Sequence, residues 1–179
     1  MRHTNPHLVI LLTGLAALLL AGCAATPSDD SLVRESRATI ERFIERDPGL
    51  QDWVDTAHGY AVFPDISKGG LGVGGGFGRG IVFEQGVPVG RTTASQATIG
   101  AQIGAQSYSQ VIFFRDDAAL RTFKRENLEF SAQATAVAAS AGAAATTSYE
   151  RGVAVFIMTR GGLMAEATIG GQRFRYDPL

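Results

Sequence analysis

Residues 69–84 read GGLGVGGGFGRGIVFE, and every even position from 70 to 80 is glycine. The odd positions carry Leu71, Val73, Gly75, Phe77, Arg79, Ile81 and Phe83. Successive side chains of a strand point to opposite faces, so Gly70, Gly72, Gly74, Gly76, Gly78 and Gly80 form a face of bare backbone. Glycine weakens a strand, and its usual justification there is close approach of another backbone or a sharp bend. Residues 97–106 repeat the theme more weakly, with Ala97, Ile99, Ala101, Ile103 and Ala105 alternating with Thr98, Gly100, Gln102, Gly104 and Gln106. The pattern predicts strongly curved sheets whose small-residue face packs tightly against another layer. Gly70, Gly72 and Gly75 also satisfy G-x-G-x-x-G, but no Lys-Ser/Thr follows and no strand-turn-helix frames the run, so packing explains it better than phosphate binding.

Outward from this run, period-two patterns mark strands at 60–63, 70–84, 96–105, 109–114, 153–158 and 162–175. Helical spacing marks 31–46, with Val33, Ser36, Ile40, Phe43 and Ile44 on one stripe, and the residue before Pro48 ends it. A shorter helix is expected over 48–58, with Leu50, Trp53, Val54 and Ala57 on one face and Gly59 at its end. An inserted helix, 116–127, buries Ala119, Leu120 and Phe123, with Asp116 as N-cap. In 131–148, small and polar residues alternate first and alanines follow, which reads as strand and then loop. The expected fold class is α+β: a strongly curved, Gly-rich antiparallel sheet, barrel-like at the limit, with two N-terminal helices and one inserted helix.

Internal similarity supports the sheet. Gly59-Tyr-Ala-Val-Phe63 returns as Gly152-Val-Ala-Val-Phe156, and Lys68-Gly-Gly-Leu71 as Arg160-Gly-Gly-Leu163. Ala97-Thr-Ile-Gly-Ala-Gln102 returns as Ala167-Thr-Ile-Gly-Gly-Gln172. Two similar hairpins account for the first two matches, each with a basic residue at the turn before Gly-Gly.

The N-terminus reads differently. One Arg and two His in the first seven residues precede an apolar run, LVILLTGLAALLL, over 8–20. Thirteen residues fall short of the roughly 20 that a membrane-crossing helix needs, and the pattern is that of a secretory signal. Its end, Leu20-Ala21-Gly22-Cys23, resembles the lipobox of bacterial lipoproteins. That resemblance implies a thioether-linked diacylglycerol on Cys23, cleavage before it and acylation of the new amine. With Ala24 in place of an Asp, it also implies sorting to the outer membrane. Residues 1–22 are then a signal peptide, 23–30 a lipidated Cys with a short polar tether, and 31–179 a single domain.

Beyond residue 22, 15 Lys and Arg face 17 Asp and Glu, because the signal holds one Arg and no acid. No basic excess exists to neutralise nucleic-acid phosphates. Cys23 is the sole cysteine and His58 the sole histidine beyond the signal. Disulfides, a cysteine nucleophile and multi-histidine metal sites are excluded on that count. No cofactor is implied. His58 with Asp55, three residues apart, and Asp116-Asp117 at a helix start are the nearest approaches to catalytic pairs, and both have ordinary structural explanations.

Taken together, Gly59-Tyr-Ala-Val-Phe-Pro64, the glycine run from Lys68 to Gly80, Ile99-Gly-Ala-Gln-Ile-Gly-Ala105, Gly161-Gly-Leu163 and Ile169-Gly-Gly171 resemble the SYLF-domain family over residues 31–179. The resemblance implies a binding module, since eukaryotic members bind phosphoinositide-containing membranes and in some cases actin. Their amphipathic N-terminal helix corresponds by position to Leu32–Arg46, where Arg34, Arg37, Arg42 and Arg46 are nearly cancelled by Glu35, Glu41 and Glu45. The expected function is non-enzymatic: an outer-membrane-anchored domain that contacts anionic lipid or an envelope protein. Lys68, Arg79, Arg160, Arg34, Arg37 and Arg42 are the candidate contacts. The alternatives are a structural or protein-interaction role in the envelope with 131–148 as docking surface, a host-directed actin or membrane interaction, or an enzyme built on His58.

Overall fold

A computed structural model describes residues 28–125, 129–130, 136–138, 140–159 and 172–179. Its spine is one very long hairpin: β1 (Gly59–Glu84) and β2 (Val87–Phe114) pair antiparallel from Gly59↔Phe114 to Glu84↔Val87. The connection is Gln85-Gly86, with φ of 50° and 78°, the pair of positive angles that a tight two-residue hairpin turn of type I′ requires. The other side of β2 is shared. Its start pairs with β6 (Gln172–Pro178) and its end with β5 (Val153–Thr159), both antiparallel. Short strands β3 (Glu129–Phe130) and β4 (Ala136–Ala138) flank β6 and β5, the latter in parallel. Among the described residues the six-stranded sheet stays open rather than closing into a barrel.

The glycine face does what its bareness predicts, and the layer it meets is the first half of its own strand. A methyl group on Gly78 would stand 2.7 Å from Asp65 O, and one on Gly76 3.2 Å from Lys68 Cβ. On Gly80 it would overlap Val62 O. Strand β1 therefore coils back on itself, and the Tyr60 and Phe83 rings stack at 5.1 Å across the fold-back. The strands expected at 60–63 and 70–84 are one continuous strand, as are those at 96–105 and 109–114. The interval 64–69 does not leave the sheet because a register shift between Phe63 and Ile66 absorbs Pro64, and Ser109 Oγ donates to its carbonyl at 2.7 Å. Lys68-Gly-Gly is thus strand rather than turn. The first repeat takes a different form from twin hairpins: 59–62 and 153–156 flank the same stretch of β2, so that Ile112 lies between Ala61 and Val155. The second copies at 160–163 and 167–171 lie outside the described residues.

Two apolar clusters occupy the two faces of the sheet. One joins Tyr60, Val62, Ile81, Phe83, Val111, Phe113 and Phe156, and is covered by α1 (Asp29–Arg46) and α2 (Leu50–Thr56). Helix α1 opens on Ser28, whose Oγ accepts from Ser31 N at 3.3 Å, a cap worth about 1 kcal/mol. Its buried stripe is Leu32, Ser36, Thr39 and Phe43, with Val33, Ile40 and Ile44 only partly covered. Helix α2 is shorter than expected because the chain turns extended at Ala57. Gly59 serves β1 rather than the helix, since a methyl group there would lie 2.7 Å from Phe83 O. The second cluster joins Phe63, Ile66, Val82, Ile112, Phe114 and Phe174 under α3 (Asp117–Arg125), which inserts Leu120 and Phe123. Asp116 Oδ1 accepts from Ala119 N at 2.9 Å, as an N-cap should. Within 131–148, β4 carries the expected strand character, but 143–146 form a short helix, α4 (Ala143–Thr146), rather than loop. Asp47 fixes it, accepting from Ala144 N at 2.7 Å. The rest of the expected 162–175 strand before Gln172 lies outside the described residues.

Candidate functional site: an arginine-lined sheet face

Residues opposite one another in an antiparallel pair share a face, so the register of β1, β2 and β6 defines rows across the sheet. Three consecutive rows are Phe77–Ser95–Arg173, Arg79–Thr93–Arg175 and Ile81–Arg91–Asp177. Adjacent strands are about 4.8 Å apart and alternate residues about 6.8 Å, so four arginines and one phenylalanine stand within a small area, with Asp177 in the third row and Glu129 of β3 opposite Arg173. Phe77 is 56% exposed, and Arg91, Arg173 and Arg175 are exposed while Arg79 is half-buried. The opposite side of the same strands is core: Ala94 and Phe174 are buried, and the Phe174 ring meets Phe123 at 5.6 Å. Burying Phe174 and Gln172 on one face therefore obliges Arg173 and Arg175 to project from the other.

Helix α1 sets the border of this face. It covers the rows of Ile81 and Phe83, and its first residue, Asp29, reaches Arg91, whose Nη1 lies 3.3 Å from both carboxylate oxygens. Eight residues on, Arg37 Nη2 donates to Gly86 O at 3.2 Å, and its guanidinium lies 5.3 Å from the centre of the Phe83 ring. The helix thus starts at the edge of the arginine rows and runs away from them toward the hairpin turn. Arg175 Nε is 3.6 Å from Asp177 Oδ1. Exposed pairs of this kind contribute little, and a guanidinium fork matches the two oxygens of a phosphate or carboxylate.

The expected contacts do not all fall here. Lys68 lies on the glycine face, against Gly76, whereas Arg79 projects from the opposite one. Lys68 Nζ sits 5.7 Å from the centre of the Tyr108 ring, and burial pushes its ammonium below the usual lysine range. Beneath it runs a buried polar rung. Gln172 Nε2 donates to Tyr108 Oη at 2.7 Å, and the Gln110 and Gln172 amides lie 3.3 Å apart. Burial pushes the Tyr108 phenol up to about 12. Arg37 is committed to the turn, and Arg42 Nη2 donates to Thr39 Oγ1 at 2.7 Å. Arg34 is exposed on α1. Arg160 and Cys23 lie outside the described residues.

His58 does not pair with Asp55, which accepts from Gln51 Nε2 at 2.9 Å. Its Nε2 lies 3.4 Å from Glu84 Oε1 and 3.9 Å from Asp117 Oδ1, while Lys124 Nζ is 2.6 Å from Glu84 Oε2. The Lys124 hydrogen bond holds the Glu84 carboxyl below the usual carboxylate range. The cluster clamps α3 to the end of β1, and among the described residues no serine or threonine hydroxyl bonds to His58. A groove of about 100 Å³ between α1 and β1, lined by Ser36, Arg37, Ile40, Glu41, Tyr60 and Phe83, is far smaller than the 300–1,000 Å³ of ordinary small-molecule sites.

Residues 95–178 match the family described as Ysc84, Las17-binding protein actin regulator. The chain is also 30% identical over 139 residues to Beta cell expansion factor A of Aeromonas veronii. These matches support the SYLF family. The second covers 76% of this chain and 52% of that protein, so the chain spans about half the length of the curated relative it matches. The SYLF match takes in Ser95, Arg173 and Arg175 but stops short of Phe77 and Arg79. Arg91, Arg173 and Arg175 escaped the sequence reading, although the alternation Gln172, Arg173, Phe174, Arg175, Tyr176 is the signal that finds two of them.

Proposed function

We propose that this chain is a non-enzymatic lipoprotein, anchored in the outer membrane through acyl chains on Cys23, whose SYLF-like domain binds phosphate-bearing lipid from the periplasmic side. The observation that carries the lipid reading is the arginine face, with Phe77 exposed beside Arg79, Arg173 and Arg175. Cationic guanidinium groups and an exposed aromatic ring are the two components of interfacial lipid binding. Vesicle co-sedimentation of the chain from Ala24 onward, which carries neither the apolar signal nor acyl chains, tests it. Vesicles containing phosphatidylglycerol should retain the protein at low salt. The triple change Arg79→Gln, Arg173→Gln, Arg175→Gln should weaken retention at least about tenfold, since each basic residue near an anionic surface contributes about 1 kcal/mol. Added salt should weaken it too. Equal sedimentation of both forms would remove the proposal. A protein partner in the envelope is the second reading, favoured by the family description, which names a protein-binding activity. Crosslinking in intact cells separates the two by showing whether the arginine face contacts lipid or protein.

A further inference from the structure

We infer that the arginine face lies flat on the bilayer that holds the protein's own anchor, so that tether and face engage one membrane together. The inference rests on the proposed anchor at Cys23 and adds an orientation to it. Ser28 caps α1 at the margin of the arginine rows, because Asp29 reaches Arg91 in the row next to Arg79 and Arg175. Four residues lie between Cys23 and Ser28, so five steps along the chain reach at most about 18 Å. A domain held that closely cannot present a distant surface to its own bilayer. From the rows of Ile81 and Phe83 onward the arginine face is covered by α1 and α2, and the opposite face is covered by α3. Among the described residues, nothing covers the row of Phe77, Ser95 and Arg173 or the row of Arg79, Thr93 and Arg175 beside the tether.

The chemistry of those rows suits lipid phosphates. Guanidinium groups bind phosphate oxygens bidentately, and the Phe77 ring is of the size and exposure to enter the headgroup–acyl boundary. The serine and threonine between them supply hydroxyls to the same headgroup level. Tethering makes docking intramolecular, so contacts too weak to hold a soluble domain hold this one, through an effective concentration in the millimolar range for a short linker.

The lipidated full chain, reconstituted into vesicles, tests the orientation. A nitroxide placed at Ser95→Cys sits between Phe77 and Arg173, and one at Thr122→Cys sits on the exposed side of α3; acylation of Cys23 leaves the introduced thiol alone to be labelled. In vesicles carrying phosphatidylglycerol, the label at 95 should become several-fold less accessible to a water-soluble relaxation agent than in phosphatidylcholine alone, and the label at 122 should not change. The Arg79→Gln, Arg173→Gln, Arg175→Gln chain should return the label at 95 to full accessibility while floating with the vesicles as before. A label at 95 equally accessible in both lipids, on protein that floats with the vesicles, overturns the orientation and leaves the anchor standing. Protein that fails to float overturns the anchor and the orientation with it.

Discussion

Replacing Gly80 with alanine should cost about 3 kcal/mol, the upper end of what overpacking one carbon usually does. The added methyl group has no room: it would overlap Val62 O and lie 2.9 Å from Phe63 Cδ1. A backbone carbonyl in the middle of a strand cannot rotate aside as a side chain can, so either the fold-back opens or the strand bends. Either outcome exposes part of the two clusters that Val62 and Phe63 anchor. Gly78→Ala should behave similarly, since its methyl group would stand 2.5 Å from Ile66 Cγ1 and 2.7 Å from Asp65 O. Gly75 is the control. Its nearest neighbour would be Gln96 O at 3.6 Å, an ordinary contact, and alanine there restricts the unfolded chain. Thermal unfolding should show Gly75→Ala unchanged or up to about 1 kcal/mol more stable, against a collapse for Gly80→Ala. Equal tolerance at 75 and 80 would mean that the glycine face does not pack on its own strand.

Asp47→Ala should cost about 2–3 kcal/mol and do so in a pH-dependent way. The carboxylate is 2% exposed, accepting from Ala144 N at 2.7 Å and Gly49 N at 3.2 Å. It ties the α1–α2 junction to the start of α4 across almost 100 residues of chain. The Ala144 N–H bond, ahead of the opposing cost of burial, holds its pKa below the usual aspartate value. Hydrogen bonds to a charged group contribute about 1.5–3 kcal/mol, and alanine removes the acceptor while leaving the amides buried. A carboxyl whose folded pKa is depressed adds stability in full above its unfolded pKa of about 3.9 and loses it as pH falls through the lower folded value. The gap between the native chain and Asp47→Ala should therefore be widest near neutrality and shrink below pH 4. Trp53 reports the junction directly, because its Nε1 donates to Ala144 O at 3.3 Å and its ring meets Phe113 at 5.7 Å. Urea titrations followed by Trp53 emission at pH 7 and pH 3 measure both stabilities. A gap that stays constant would separate the carboxylate's charge from its role.

Period-two and helical spacing were enough to read the class of fold, the identity of the helices and the close packing of the glycine face, because each leaves a local mark on the chain. What packs against the glycines was not legible, since nothing in residues 70–80 says that the partner is residues 62–68 of the same strand. The bulge that keeps Pro64 in the sheet was hidden for the same reason: a proline in a period-two run reads as an interruption until a partner such as Ser109 is found for its carbonyl. Lys68 and Arg79 both border glycines, yet the alternation of the strand sends them to opposite faces. The arginine face was half legible. Arg173 and Arg175 alternate with buried residues in one strand, but their meeting with Arg79 and Arg91 depends on a three-strand register that no local pattern carries. Helix α4 was missed because four residues are too few for periodicity, and Asp47, which fixes it, is remote in sequence.

The Gln85-Gly86 turn also orders events in time. Pairs near it, such as Glu84 with Val87, close loops of a few residues and form on the microsecond scale of an isolated hairpin. Contacts across the fold-back, Gly80 with Val62 and Gly59 with Phe83, join positions that zippering brings together only after most of the ladder has formed. A slow coiling step therefore follows a fast zippering step, and the half-zipped chain exposes both faces of its glycine run in between. Of those two faces only the one with Leu71, Val73 and Phe77 carries apolar side chains, so the glycines that permit the native packing also leave the other face of such an intermediate with nothing apolar to offer a neighbouring chain.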